Sequence, residues 1–122
     1  MVIMDANEQL GGSDAAMRPM EMMLVSLGGC TGMDVISILQ KKRTPFSKVN
    51  IEIEAERAES HPKVFTKINI LFIVSGDKEK IKPKDIERAI ELTNTTYCSA
   101  SAMLRKTAEL NYDFKIIDDK EG

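Results

Sequence analysis

Met20-Glu21-Met22-Met23-Leu24-Val25-Ser26-Leu27-Gly28-Gly29-Cys30-Thr31-Gly32-Met33-Asp34-Val35-Ile36-Ser37-Ile38-Leu39 is the stretch whose reading decides the fold. On a helix, Met20, Leu24, Leu27 and Ile38 point in directions different from Met22, Val25, Met33 and Ile36, so no polar face is left. A helix that is apolar all round is expected to be buried all round. In a chain of 122 residues one sheet can cover only one side, which leaves the other for a partner subunit. Glu21, Asp34, the Gly28-Gly29 pair and several hydroxyl residues make the stretch too polar for a membrane span, so it reads as a soluble helix. Pro19 fits its first turn, Lys41-Lys42-Arg43 complements the negative end of the helix dipole, and Thr44-Pro45 stops it.

Working outward, Val49-Asn50-Ile51-Glu52-Ile53-Glu54-Ala55-Glu56 alternates apolar and polar residues, the pattern of a strand with one face on a core. Phe65 to Val74 alternates at first and then turns apolar on both faces, which predicts a second half covered on both sides. Glu59-Ser60-His61-Pro62-Lys63 between them reads as the turn of an antiparallel hairpin. Pro83 and Asp85 open a second helix with Ile86, Ala89, Ile90 and Thr93 on one face; Asn94-Thr95-Thr96 weakens it. A third short helix is expected from Cys98 or Ser99 to Ala108, followed by a strand in which Leu110, Tyr112, Phe114 and Ile116 alternate with polar residues. Asn7 to Met17, rich in Gly, Ser and Ala, looks loose. The expected order is a short strand from Val2 to Asp5, a helix, two strands, a helix pair and a strand, an α+β domain spanning 1–122.

The charge balance of 17 Lys+Arg against 19 Asp+Glu gives a net charge of -2, which offers no basic excess for nucleic acid or anionic lipid. No nucleic acid and no membrane are expected as partners. Met1 runs directly into Val2-Ile3-Met4-Asp5 without a basic, apolar leader, so the expected location is the cytoplasm, where a permanent disulfide is unusual.

The chemistry rests on Cys30 and Cys98. A thiol reacts as thiolate, favoured by a helix N-terminus, a nearby cation or a hydrogen bond to sulfur. Cys98, at a helix start, has free backbone N–H groups directed at it; Cys30, in mid-helix, depends on side chains. The Gly28-Gly29 pair costs a helix roughly 1 kcal/mol per glycine relative to Ala, so something approaches the backbone beside Cys30, either another helix or a substrate. At this level two readings stay open: a reactive thiol pair, or a tight helix crossing with two cysteines serving as small hydrophobes. Two Cys and one His do not make a four-ligand zinc site within one chain, and no metal or cofactor is expected. His61 in a predicted turn argues against a Cys-His hydrolase pair. Asp34, one helical turn after Cys30, would raise the pKa of a neighbouring thiol, so its expected role is a hydrogen bond or salt bridge elsewhere in a buried interface. The methionines read mainly as core, with Met17, Met20, Met22 and Met23 able to line an adaptable pocket near Cys30.

Arg18-Pro19-Met20-Glu21 through Leu27-Gly28-Gly29-Cys30-Thr31-Gly32-Met33-Asp34-Val35, together with Thr96-Tyr97-Cys98-Ser99-Ala100-Ser101-Ala102-Met103-Leu104, resemble the two signature segments of the OsmC/Ohr family. The pattern Pro-x-Glu-x-x-Leu-x-x-Leu-Gly-Gly-Cys-Thr is similar to the OsmC-like branch, and the match covers nearly the whole chain. The resemblance implies an OsmC-like fold in which an antiparallel sheet wraps a long central helix within an intertwined homodimer, with active sites at the subunit interface. It further implies a thiol-dependent peroxidase for organic hydroperoxides, with Cys30 peroxidatic, Cys98 resolving, and an external thiol reductant; the other reading of the same fold is a non-catalytic, dimeric small-molecule-binding or redox-sensing protein. The family's activating arginine lies in an N-terminal hairpin and is held by a glutamate directly after the motif proline. Here Met20 takes the glutamate's position, the acid is Glu21, and Val2 to Asp5 resembles only the tail of that hairpin, which implies a shortened one. Arg18 is the sole arginine before Cys30 and matches no family position. Without the arginine, the Cys30 thiol is expected nearer its unperturbed pKa of about 8.5.

Overall fold

In the computed structural model, residues 4–6, 8–13 and 15–119 are described. The elements that position the site are α1 (Pro19–Lys41), β1 (Phe46–Arg57), β2 (Phe65–Gly76), α2 (Pro83–Leu92), α3 (Ser99–Leu104) and β3 (Glu109–Asp118), with a π-helical turn at Thr93–Tyr97 between α2 and α3. The chain is thus a mixed α+β fold on a three-stranded sheet of order β1-β2-β3.

Alternation sets the register. Val49, Ile51, Ile53 and Ala55 of β1 stand opposite Val74, Phe72, Ile70 and Ile68 of β2. Those same β2 residues stand opposite Ile116, Phe114, Tyr112 and Leu110 of β3. One face of all three strands is therefore apolar, and it carries the core together with Leu27, Val35 and Leu39 of α1 and Ile86, Ala89 and Ile90 of α2. The second half of β2 is buried on both faces, down to Ile73 on the outward side at 7% exposure, as its sequence predicts.

The sheet differs from the expected antiparallel one. β1 and β2 do form the antiparallel hairpin, but β3 pairs with β2 in parallel. The α2–α3 segment carries the chain back along the sheet so that Glu109 starts opposite Lys67, and a crossover of that kind delivers a parallel neighbour. α3 also stops earlier than predicted, at Leu104. Tight bonds from Lys106 N–H to the Met103 carbonyl and from Thr107 N–H to the Leu104 carbonyl end it, and Glu109 is already in the sheet. The π-helical turn is the predicted weak point at Asn94-Thr95-Thr96.

Of the expected opening strand, Val2 and Ile3 lie outside the described residues; Met4 makes an isolated parallel bridge to Met17. The stretch read as loose, of which Asn7 and Asp14 lie outside the described residues, is organised around Asp5. Its carboxylate takes the Ser13 hydroxyl and the Ala15 and Ala6 N–H groups, which hold its pKa down at about 2.

α1 begins at Pro19, and the Glu21 carboxylate accepts the Arg18 backbone N–H at 3.1 Å, so the acid caps the helix. At the other end Arg43 adopts a left-handed φ of 56° and Thr44 N–H bonds to the Leu39 carbonyl, which turns the chain into β1. A Cβ at Gly28 would stand 2.9 Å from Ile53 Cδ1 and one at Gly32 2.6 Å from Ile51 Cδ1. The close approach expected at Gly28-Gly29 from another helix or a substrate is made instead by strand β1, at Gly28 and Gly32, while Gly29 has open space before it in the single chain. The opposite face of α1 is uncovered in the single chain, with Met33 75% exposed and Met23 and Val25 also exposed. By length and composition α1 would pass as a membrane span, with mean hydropathy 1.7, but one such helix is weak evidence because a core helix passes the same test.

Candidate functional site

The two cysteines, separated by 68 positions in sequence, meet: Cys98 Sγ donates to Cys30 Sγ at 2.8 Å. α1 supplies Cys30 on the edge between its covered and uncovered faces, half-buried. Cys98 is buried at the N-cap of α3, where the π-helical turn ends and its own N–H bonds to the Thr93 carbonyl. That position gives its sulfur a backbone donor, the Ser101 N–H at 3.3 Å. The prediction that Cys98 opens a helix is met.

The electrostatics of Cys30 run against easy ionisation. Burial pushes its thiol up first, the Cys98 hydrogen bond second, and the charges of Cys98 and Asp34 add to this; the Ala100 backbone N–H works in the opposite direction. Among the described residues, the groups that shift it include no cation.

Asp34 lies in the site rather than away from it. Its carboxylate and the two sulfurs fall within 4.8 Å of one another. Thr93, fully buried at the start of the π-helical turn, donates its hydroxyl to Asp34 Oδ2 at 2.8 Å. The sequence placed a hydrogen bond on Asp34 but not its partner; the signal was a hydroxyl on the otherwise apolar Ile86, Ala89, Ile90 face, which needs a polar partner once buried. Ser101 and Tyr112 were also missed. Their hydroxyls bond at 2.5 Å behind Cys98, and burial pushes the Tyr112 phenol up.

A cleft of about 340 Å³ beside the site is lined by Asp34, Ile38, Leu92 and Tyr97, with Lys41 and Lys42 among its cationic groups. A larger hollow of about 400 Å³ lies on the outer face of the sheet among Glu52, Glu54, Asn69, Asn111 and Asp113, and neither cysteine lines it. His61 is exposed in the β1–β2 turn. Arg18 caps α1 with its backbone.

A family model described as OsmC-like protein matches residues 11–113. The chain is 37% identical over 116 residues to protein YhfA of Escherichia coli K12, covering 95% of this chain and 82% of that protein. It is 34% identical to a hypothetical protein of Aquifex aeolicus VF5 of known structure, with a TM-score of 0.80 over 87% of this chain and 78% of the other. An organic hydroperoxide resistance protein from Legionella pneumophila shares the fold, with a TM-score of 0.70 at 13% identity over 93% of this chain and 80% of that one. With the family model spanning most of its length and relatives above one third identity, the chain belongs to the OsmC-like family.

Proposed function

We propose that the protein is a thiol-dependent peroxidase that reduces organic hydroperoxides, with Cys30 as the peroxidatic and Cys98 as the resolving cysteine. The observation that carries this reading is the 2.8 Å approach of the two sulfurs in the reduced chain. The Cys30 thiolate attacks the distal oxygen of ROOH; with one proton, the O–O bond breaks to give ROH and a Cys30 sulfenic acid. Cys98 then displaces hydroxide from that sulfur, water leaves, and a Cys30–Cys98 disulfide remains. Two equivalents of an external thiol reduce it and are themselves oxidised to a disulfide.

The apolar walls of the cleft, Ile38 and Leu92, suit an organic peroxide better than hydrogen peroxide. In this reading the chain works as one domain, in the cytoplasm, as a homodimer whose subunits meet on the uncovered face of α1. Cys30 lies at the edge of that face, so the missing cation is sought on the partner subunit.

The experiment is peroxide consumption with cumene hydroperoxide and a dithiol reductant. Cys30→Ser is expected to abolish turnover, whereas Cys98→Ser is expected to complete one oxidation and hold a trappable sulfenic acid. Undiminished turnover in Cys30→Ser overturns the assignment. A second reading, a dimeric small-molecule-binding or redox-sensing protein, is favoured by the upward push on the Cys30 thiol. It predicts slow stoichiometric oxidation to the disulfide without sustained turnover.

A further inference from the structure

We propose that the reduced protein binds one thiophilic divalent cation of the zinc type per chain, through Cys30 Sγ, Cys98 Sγ and a carboxylate oxygen of Asp34. The sequence offered too few His and Cys for a four-ligand site, but that count omits Asp34 and the possibility of three protein ligands with an open fourth position. The three donor atoms lie within 4.8 Å of one another and are at least half-buried. Two thiolates and one carboxylate are a donor set that favours Zn²⁺ over Mg²⁺ or Ca²⁺, which take oxygen ligands.

The geometry requires small movements only. Zinc–sulfur bonds of about 2.3 Å in a tetrahedron place two sulfurs about 3.8 Å apart. The sulfurs stand at 2.8 Å, so they part by roughly an ångström as the S–H···S bond is given up. Cys30 and Asp34, spaced i and i+4 on α1, present their donors on the same face of the helix, and Cys98 closes the set from the N-cap of α3. The ligands already have outer partners, the feature that orients ligands in metal sites. Thr93 holds Asp34 Oδ2 at 2.8 Å, and a carboxylate keeps acceptor capacity beyond one such bond. Ser101 N–H bonds to Cys98 Sγ.

Binding releases the two thiol protons and leaves a water or a small thiol in the fourth position. While the ion is bound, neither sulfur is free to meet an oxidant, so the ion masks the dithiol and links α1 to α3. The site exists only in the reduced protein, since a disulfide removes both thiolates. The site needs no peroxidase activity in order to bind the ion.

The test uses the full reduced chain without oxygen, titrated first with Co²⁺, whose thiolate charge-transfer absorption reports sulfur ligation, and then with Zn²⁺ against a chromophoric chelator. Expected are one ion per chain, about two protons released per Zn²⁺ near neutral pH, and no binding after oxidation to the disulfide. Asp34→Asn, close in shape, is expected to weaken Zn²⁺ at least about tenfold with the fold intact by circular dichroism, and Thr93→Val to weaken it less while keeping all three ligands. Unchanged affinity in both variants overturns the site, because two thiols alone would then bind. Absence of the charge-transfer band, or one ion per two chains, overturns it as well.

Discussion

Both faces of α1 carry apolar side chains, but the fold treats them unequally. On one, Leu27, Val35 and Leu39 are fully buried and Gly28 and Gly32 admit the tips of Ile53 and Ile51. On the other, Met23, Val25 and Met33 are exposed and Gly29 has nothing within 4 Å of an added Cβ. The difference means that the chain itself covers only one of them; in the proposed homodimer the other answers to a second copy. Cys30 sits at their boundary, so under that proposal the chemistry of the site and the covering of the outer face are tested together.

The largest effects separate the faces. Leu27→Asp places an unpaired charge in the core and is expected to abolish folding; the milder Leu27→Ala is expected to cost about 2–5 kcal/mol in urea denaturation. Met33→Glu is expected to leave the fold of the chain intact and to release monomer in sedimentation equilibrium. A Met33→Glu protein that sediments as the wild type would show that the outer face is not where copies meet.

The glycines sharpen the comparison by smaller steps. Gly32→Ala meets Ile51 Cδ1 at 2.6 Å, an overpacking of the end of a flexible side chain, and is expected to destabilise by about 1–2 kcal/mol. Gly29→Ala adds a methyl to open space and gains helix propensity, so it is expected to stabilise the isolated chain by about 1 kcal/mol. If Gly29→Ala lowers the denaturation midpoint at concentrations where copies associate and raises it at high dilution, a partner backbone lies close to Gly29.

How much of this was legible depends on whether the signal was local. The β1–β2 hairpin follows from alternation and a turn, and the double burial at the end of β2 from a run of apolar residues; both were readable. Cys98 at a helix start was readable because Asn94-Thr95-Thr96 breaks the preceding helix. The parallel pairing of β3 was not, since β3 alternates the same way in either direction and only the path of the crossover decides. Of the candidate site, the two cysteines were legible from their motifs, whereas Asp34 was expected to act elsewhere, because a carboxylate beside a thiol opposes its ionisation, and only the fold shows its oxygen beside both sulfurs. Thr93 and Tyr112 were missed because each is brought in by a contact across the fold, Thr93 to α1 and Tyr112 to α3, that no local pattern encodes.

The smallest expected effect lies at the boundary itself, in the titration of Cys30. Burial and the neighbouring Cys98 and Asp34 push its thiol up, so the folded chain holds that proton more tightly than the unfolded chain does. The resulting stabilisation is present below the ordinary thiol pKa of about 8.5 and is lost as pH rises through the higher folded-state value. Wild type is therefore expected to lose stability between about pH 7 and about pH 10 relative to Cys30→Ser, read as the difference in urea midpoints, by a modest amount because the side chain is only half-buried. Alkylation of Cys30 in a Cys98→Ser background should show an alkaline midpoint that moves to lower pH in Asp34→Asn, where the adjacent negative charge is gone. A midpoint already on the acid side of neutrality in the associated protein, and shifting upward when Met33→Glu separates the copies, would place the activating cation across the interface and show that the uncovered face of α1 is completed by a partner that also sets the chemistry of Cys30.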